Sequence, residues 1–152
     1  MTFKLAKNKK KYAHDIDTLI AKVTELNQSS VASVELDDLI IKNISTHYYV
    51  PLILSNNENV DYIKHIIKTP SEVKFITELD SQIDKLNDKF EWWMFSRIDS
   101  IDDVYIPYID KNSCPAKFKP DFIFWLKPKN DNRYLIYFID PKGDSYTDYQ
   151  LK

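Results

Sequence analysis

The chain has 152 residues, 43% hydrophobic and 14% aromatic, with a formal net charge of −2. That suits one domain, or one domain with an appendage, and supplies enough apolar side chains for a core. A single Gly excludes a Walker A loop and a dinucleotide fingerprint, and a single cysteine, Cys114, excludes an intrachain disulfide and a cysteine-based metal cluster. Cys114 reads as a small, partly buried residue. The slightly acidic balance argues weakly against a stand-alone nucleic-acid binder, though not against a nuclease that grips DNA through another domain. No apolar h-region follows the lysines of the first residues, and no apolar run approaches the roughly 20 residues of a membrane helix. A reducing, cytoplasmic setting with no membrane is expected.

Residues 1–12 are basic and lack periodicity. The Lys7–Lys11 cluster suits either a contact to phosphate or a solvated tail. Residues 14–28 predict a helix, with Ile16, Leu19, Ile20, Val23 and Leu26 spaced by three and four. A second helix is expected from Ser33 or Val34 to Ser45, with Leu36, Leu39, Ile40 and Ile44 on one face. The basic tail and these two helices make residues 1–45 an N-terminal appendage, and residues 46–152 the main domain. Between residues 48 and 67 two readings stand. One is a hairpin with Pro51 on an edge; the other is a short strand and a helical turn. His14, His47 and His65 sit outside any ligand-spaced cluster and read as surface or packing residues.

Thr69-Pro70-Ser71-Glu72 is a helix start. Thr69 caps, Pro70 suits the first helical position, and Glu72 completes a capping box. The helix should reach Asn87 with Val73, Ile76, Leu79, Ile83 and Leu86 buried. Glu72 borders that stripe, whereas Glu78 falls with Lys74, Gln82 and Lys85 on the polar face. If an acid of this helix reaches inward it is Glu72; otherwise Glu72 is a capping carboxylate only. Next comes a strand over Phe90–Ile98, a turn at Asp99, Ser100, Asp102 and Asp103, and an extended segment over Val104–Ile109. Pro107 there implies an edge or bulge. Lys111–Lys119 reads as a loop, and Asp144–Lys152 as a helix opening.

The stretch Phe118–Gly143 carries the chemistry. Apolar runs at Phe122–Leu126 and Tyr134–Ile139, separated by a polar segment from Lys127 to Asn132, predict a β-hairpin with mostly buried strands. Asp121 opens the first strand, Asp140 closes the second, and Lys142 follows two residues on. Antiparallel pairing brings these three to one end of the hairpin. Asp140 and Lys142 share a face by the two-residue repeat. Two carboxylates at adjoining strand ends form a hard-oxygen site suited to Mg²⁺. A lysine beside them can orient water and offset phosphate charge. No Ser or Cys has a His at triad spacing, and a glycosidase-like pair of acids would leave Lys142 without a role.

Pro120-Asp121 followed by Asp140-Pro141-Lys142 resembles the PD-(D/E)XK nuclease signature. WWMFSRIDSIDDVYIPYID (92–110), KPDFIFWL (119–126) and YFIDPKGDSYTDYQ (137–150) resemble the C-terminal nuclease region of the Res subunit of type III restriction enzymes and related helicase-nucleases. The resemblance covers residues 46–152. It implies an α/β fold with a restriction-endonuclease-like mixed sheet flanked by helices. It also implies cleavage of double-stranded DNA dependent on Mg²⁺, with Mn²⁺ as a substitute. Asp121 and Asp140 would bind metal, Lys142 would be the catalytic lysine, and Glu72 would match the acid supplied by the first core helix. The implied partners are DNA, an ATP-driven helicase domain outside this chain, and a modification (methyltransferase) subunit. The family fold continues through a further helix and strand, so a piece of a longer protein is expected. A non-catalytic DNA-docking or protein-interaction module on a decayed nuclease fold is the alternative.

Overall fold

The computed structural model describes residues 13–28, 33–44, 46–48, 52–60, 66–98 and 104–142. The Lys7–Lys11 cluster, the His14 side chain, Pro51, His65, the turn expected at 99–103 and the helix opening at Asp144–Lys152 lie outside the described residues. Contacts divide the chain into two units, Met1–Lys74 and Phe75–Lys152.

In the first unit, α1 (Ala13–Gln28) forms where the spacing predicts it. Its buried stripe is narrower than expected: Leu19, Val23 and Leu26 are buried, whereas Ile20 is 46% exposed. The stripe joins Leu39, Ile41, Ile53, Val60 and Ile66 in one core. Those partners come largely from an antiparallel sheet of β1 (Ser33–Leu36), β2 (Leu39–Lys42) and β3 (Leu52–Ser55), in that order.

The second helix expected over residues 33–45 is overturned. Ser33–Leu36 and Leu39–Lys42 form the β1–β2 hairpin, with Val34 opposite Ile41 and Leu36 opposite Leu39. Val34, Ile40 and Ile41 are β-branched, and Leu39 and Ile41 alternate into the core. The apparent helical spacing spans a turn, Asp37–Asp38, where Asp37 adopts φ 49°. Asp tolerates that left-handed conformation better than most residues.

The segment after β2 keeps one expected strand, β3, but the hairpin reading fails. Ile67 returns parallel to β3 in a bridge with Leu54. Its N–H donates to the Ile53 carbonyl at 2.9 Å, and its carbonyl accepts from Ser55 N–H at 2.9 Å. The connection starts with an asparagine turn, in which Asn59 N–H donates to Asn57 Oδ1 at 3.0 Å.

α2 (Pro70–Ser81) starts at the expected proline and crosses the division between the units. The single helix expected to Asn87 is broken at Gln82, whose φ of −108° and ψ of 2° are not helical. Gln82 N–H donates to the Leu79 carbonyl, a tighter turn, and α3 (Ile83–Lys89) follows. The cap of α3, Phe90, is already extended and begins β4 (Phe90–Arg97).

After β4 the chain makes a separate two-stranded ribbon, β5 (Ile106–Ile109) and β6 (Pro115–Phe118), before entering β7 (Phe122–Pro128) and β8 (Leu135–Ile139). β6 corrects the expected loop over Lys111–Lys119. Its half-buried Ala116 and Phe118 alternate with exposed Pro115 and Lys117, and one proline and three lysines in the stretch obscure that signal. Pro107 lies in this ribbon, which has edges on both sides, as its missing N–H requires.

β7 is the centre of the antiparallel sheet β4-β7-β8. Its Phe122, Phe124 and Leu126 are buried together with Trp93 and Phe95 of β4. Phe75 of α2 closes this face, with its ring 5.0 Å from Phe122 and 6.0 Å from Phe124. Trp93 donates through Nε1 to Asn87 Oδ1 at 2.9 Å, so its polar edge is satisfied. The predicted hairpin forms, but only β7 is mostly buried. β8 is an edge of the described sheet, and its Ile136, Tyr137 and Phe138 are exposed. The fold is thus mixed α/β with small antiparallel sheets. Among the described residues, no helix is long and apolar enough to cross a membrane.

Candidate active site

β7 and β8 pair in the register Phe122 with Ile139 through Leu126 with Leu135. That register fixes which ends meet. Asp121 stands one residue before β7 and Asp140 one residue after β8, so the backbones of the two acids lie at adjoining strand ends. Asp121 is held from both sides. Its N–H donates to the Ile139 carbonyl at 2.9 Å, and its carbonyl accepts from Ile98 N–H at 2.8 Å. Pro120 before it is buried, and the Asp121 side chain is half-buried with its Oδ2 shielded from solvent.

Asp140 shapes the chain that leaves β8. Its Oδ1 accepts the Lys142 N–H at 2.9 Å, an Asx turn closed by the side chain. Pro141 between them fits such a turn because its own N–H is not needed. Lys142 is exposed and Asp140 half-buried. The structure therefore sets the backbones of Asp121 and Asp140 at adjoining strand ends, with Lys142 tied to Asp140.

Glu72 belongs to the first unit. It is 3% exposed, while Glu78 is exposed, so the stripe ranks these two acids as expected. Its place in a site with Asp121 and Asp140 rests on the resemblance to the nuclease signature. Among the described residues, no group of three or more His, Cys, Asp or Glu gathers as a metal cluster.

The opposite end of the hairpin holds a different polar set. Arg133 donates to both carboxylate oxygens of Asp131, from Nε at 3.2 and 2.9 Å and from a terminal nitrogen at 2.7 Å. Its backbone N–H adds a fourth bond, to Oδ1 at 2.9 Å. These bonds hold the Asp131 carboxyl down at about 2 and push Arg133 up. Lys127 donates to the Asp131 carbonyl and lies 5.6 Å above the Tyr134 ring. This set braces the turn and stands far along the strands from Asp121 and Asp140.

No curated protein and no solved structure matches the chain. The family model described as YagJ family matches residues 63–152, a span that contains Glu72, Asp121, Asp140 and Lys142 and every element from α2 to β8. That is well over half of the sequence, and the chain belongs to the YagJ family.

Proposed function

We propose that this chain is a Mg²⁺-dependent endonuclease domain that hydrolyses phosphodiester bonds of double-stranded DNA on a restriction-endonuclease-like fold. The observation that carries this reading is the hairpin register, which sets Asp121 beside the end of β8, where Asp140 and Lys142 follow. The order of elements supports it: helix α2, strand β4, then β7 entered through Pro120-Asp121 and β8 left through Asp140-Pro141-Lys142.

The donor set suits the ion. Mg²⁺ commonly binds through one or two carboxylates and keeps several waters, so two aspartates at a strand end suffice. Asp121 and Asp140 would hold it. A bound Mg²⁺ would supply Lewis-acid polarisation of a phosphate oxygen and a lowered pKa for bound water. The chain's own groups do the rest. Asp121, anchored through its backbone, would offer one carboxylate. Lys142, exposed beside Asp140, places an ammonium where a phosphate's charge grows in the transition state. Glu72 would add a buried acid from the helix. On this reading the chain works in the cytoplasm beside an ATP-driven helicase domain and a modification (methyltransferase) subunit, as the resemblance to type III restriction enzymes implies.

A second reading is a non-catalytic DNA-docking or protein-interaction module on a decayed nuclease fold. It is favoured by the net charge of −2 and by the Asp140 Oδ1 bond to the Lys142 N–H, which gives Asp140 a turn-closing role that needs no metal.

Cleavage of duplex DNA in Mg²⁺, compared between the natural chain and its Asp140→Ala and Lys142→Ala variants, tests the proposal. Loss of cleavage in both is expected. Undiminished cleavage in both variants sinks the assignment, and failure of calorimetry to detect Mg²⁺ or Mn²⁺ binding favours the docking module.

A further inference from the structure

The ribbon β5–β6 sits in the sequence between β4 and the catalytic hairpin, and its two faces differ. Ile106, Tyr108, Ala116 and Phe118 are half-buried, while Pro107, Ile109, Pro115 and Lys117 are exposed. On the exposed face the Lys117 ammonium stands 4.0 Å above the ring of Tyr105. That cation–π contact holds the charge in place without removing it from solvent. Lys119 follows two residues later on the same alternation and is also exposed.

The local charge contrasts with that of the whole chain. Residues 111–119 contain three lysines and no acid, in a protein of net charge −2. The one acid of the described segment 104–119, Asp110, is turned into the ribbon's tip. Its Oδ1 accepts the N–H groups of Asn112 and Cys114 at 2.9 and 2.8 Å. The expected loop hid this pattern, because only the strand puts Lys117 on the exposed face, with the exposed Lys119 just past its end.

We propose that the exposed face of this ribbon, with Lys117 and Lys119 as its cations, is a contact surface for the phosphate backbone of double-stranded DNA. The inference deepens the nuclease reading and rests on it for the choice of DNA. A two-stranded ribbon is also narrow enough to follow a DNA major groove of about 12 Å. Lys119 precedes Asp121 by two residues, so a phosphate gripped there lies within roughly 7 Å of chain from the candidate metal ligand.

The test is fluorescence anisotropy of the whole chain with a labelled duplex of about 20 base pairs, in EDTA, across a salt series. In the Lys117→Ala/Lys119→Ala variant, affinity should fall roughly tenfold and the salt slope by about 2. Lys117→Arg/Lys119→Arg should retain both. An unchanged slope and affinity in the alanine variant overturns the surface, as does absence of DNA binding by the natural chain. Dependence on these lysines for duplex RNA but not DNA overturns it too. Lysine-dependent binding without Mg²⁺-dependent cleavage removes the nuclease reading and leaves the surface; cleavage with lysine-indifferent binding does the reverse.

Discussion

Asp121 donates its backbone N–H to the carbonyl of Ile139, the same residue that stands opposite Phe122 in the β7–β8 ladder. Asp121, one residue before β7, is thereby tied through its backbone to the last residue of β8. The backbone of Asp121 is therefore anchored on both sides whatever the side chain carries.

That separation gives the first prediction. Asp121→Asn and Asp140→Asn keep side-chain shape and, at Asp140, an oxygen to accept the Lys142 N–H. Both variants should fold with thermal midpoints close to that of the natural chain. Each should lose at least about tenfold in Mn²⁺ or Mg²⁺ affinity by titration calorimetry, roughly 1.4 kcal/mol. Unaltered affinity in both would remove the metal role from this hairpin end.

Glu72 is the harder residue, because burial and chemistry pull on the same group. It is 3% exposed and engaged with a neighbour. Truncation to Ala should cost about 1–3 kcal/mol in urea unfolding, since it empties a buried position and removes that engagement. Glu72→Gln keeps shape and one acceptor and should cost less. If Gln also restores full cleavage, Glu72 is a structural acid and not part of the site.

The second unit was the more legible of the two from sequence. The apolar runs Phe122–Leu126 and Tyr134–Ile139 with a polar segment between them give the hairpin, and the register it adopts brings the backbone of Asp121 to that of Asp140. Four other features resisted. Leu36, Leu39 and Ile40 match helical spacing only because a two-residue turn at Asp37–Asp38 falls between the strands. The parallel return of Ile67 to β3 is a long-range pairing with no local signal. β6 carries Pro115 and three nearby lysines, so propensity argued against a strand whose pairing with β5 decides it. β8 looked buried because it is apolar, yet position at the edge of the described sheet, not composition, sets its exposure.

The aromatic core beneath the hairpin end supplies a stability prediction. The Phe124 ring lies 5.2 Å from Phe95, 6.4 Å from Trp93 and 6.0 Å from Phe75, joining β4, β7 and α2. Phe124→Ala should destabilise by about 3–5 kcal/mol, because three fixed rings cannot collapse into the space. Phe124→Leu should cost clearly less. A loss below about 1 kcal/mol for the alanine variant in denaturant unfolding would show that these rings do not share one packed core.

The far turn offers a pH test independent of catalysis. Arg133's hydrogen bonds hold the Asp131 carboxyl at about 2, against an ordinary value of 3.8. A depressed carboxyl stabilises the folded chain above its unfolded value and loses that contribution as pH falls through the folded one. The contribution should therefore be constant at pH 5 and above, decline between about 4 and 2, and vanish below. Arg133, pushed upward, stays charged throughout that window. Carboxyl NMR of Asp131 should show a midpoint at about 2, and Arg133→Ala should return it toward 3.8. The stability gap between the natural chain and Asp131→Asn should close over the same acid range. A midpoint near 3.8 in the natural chain would mean that the Arg133 bonds do not persist in solution.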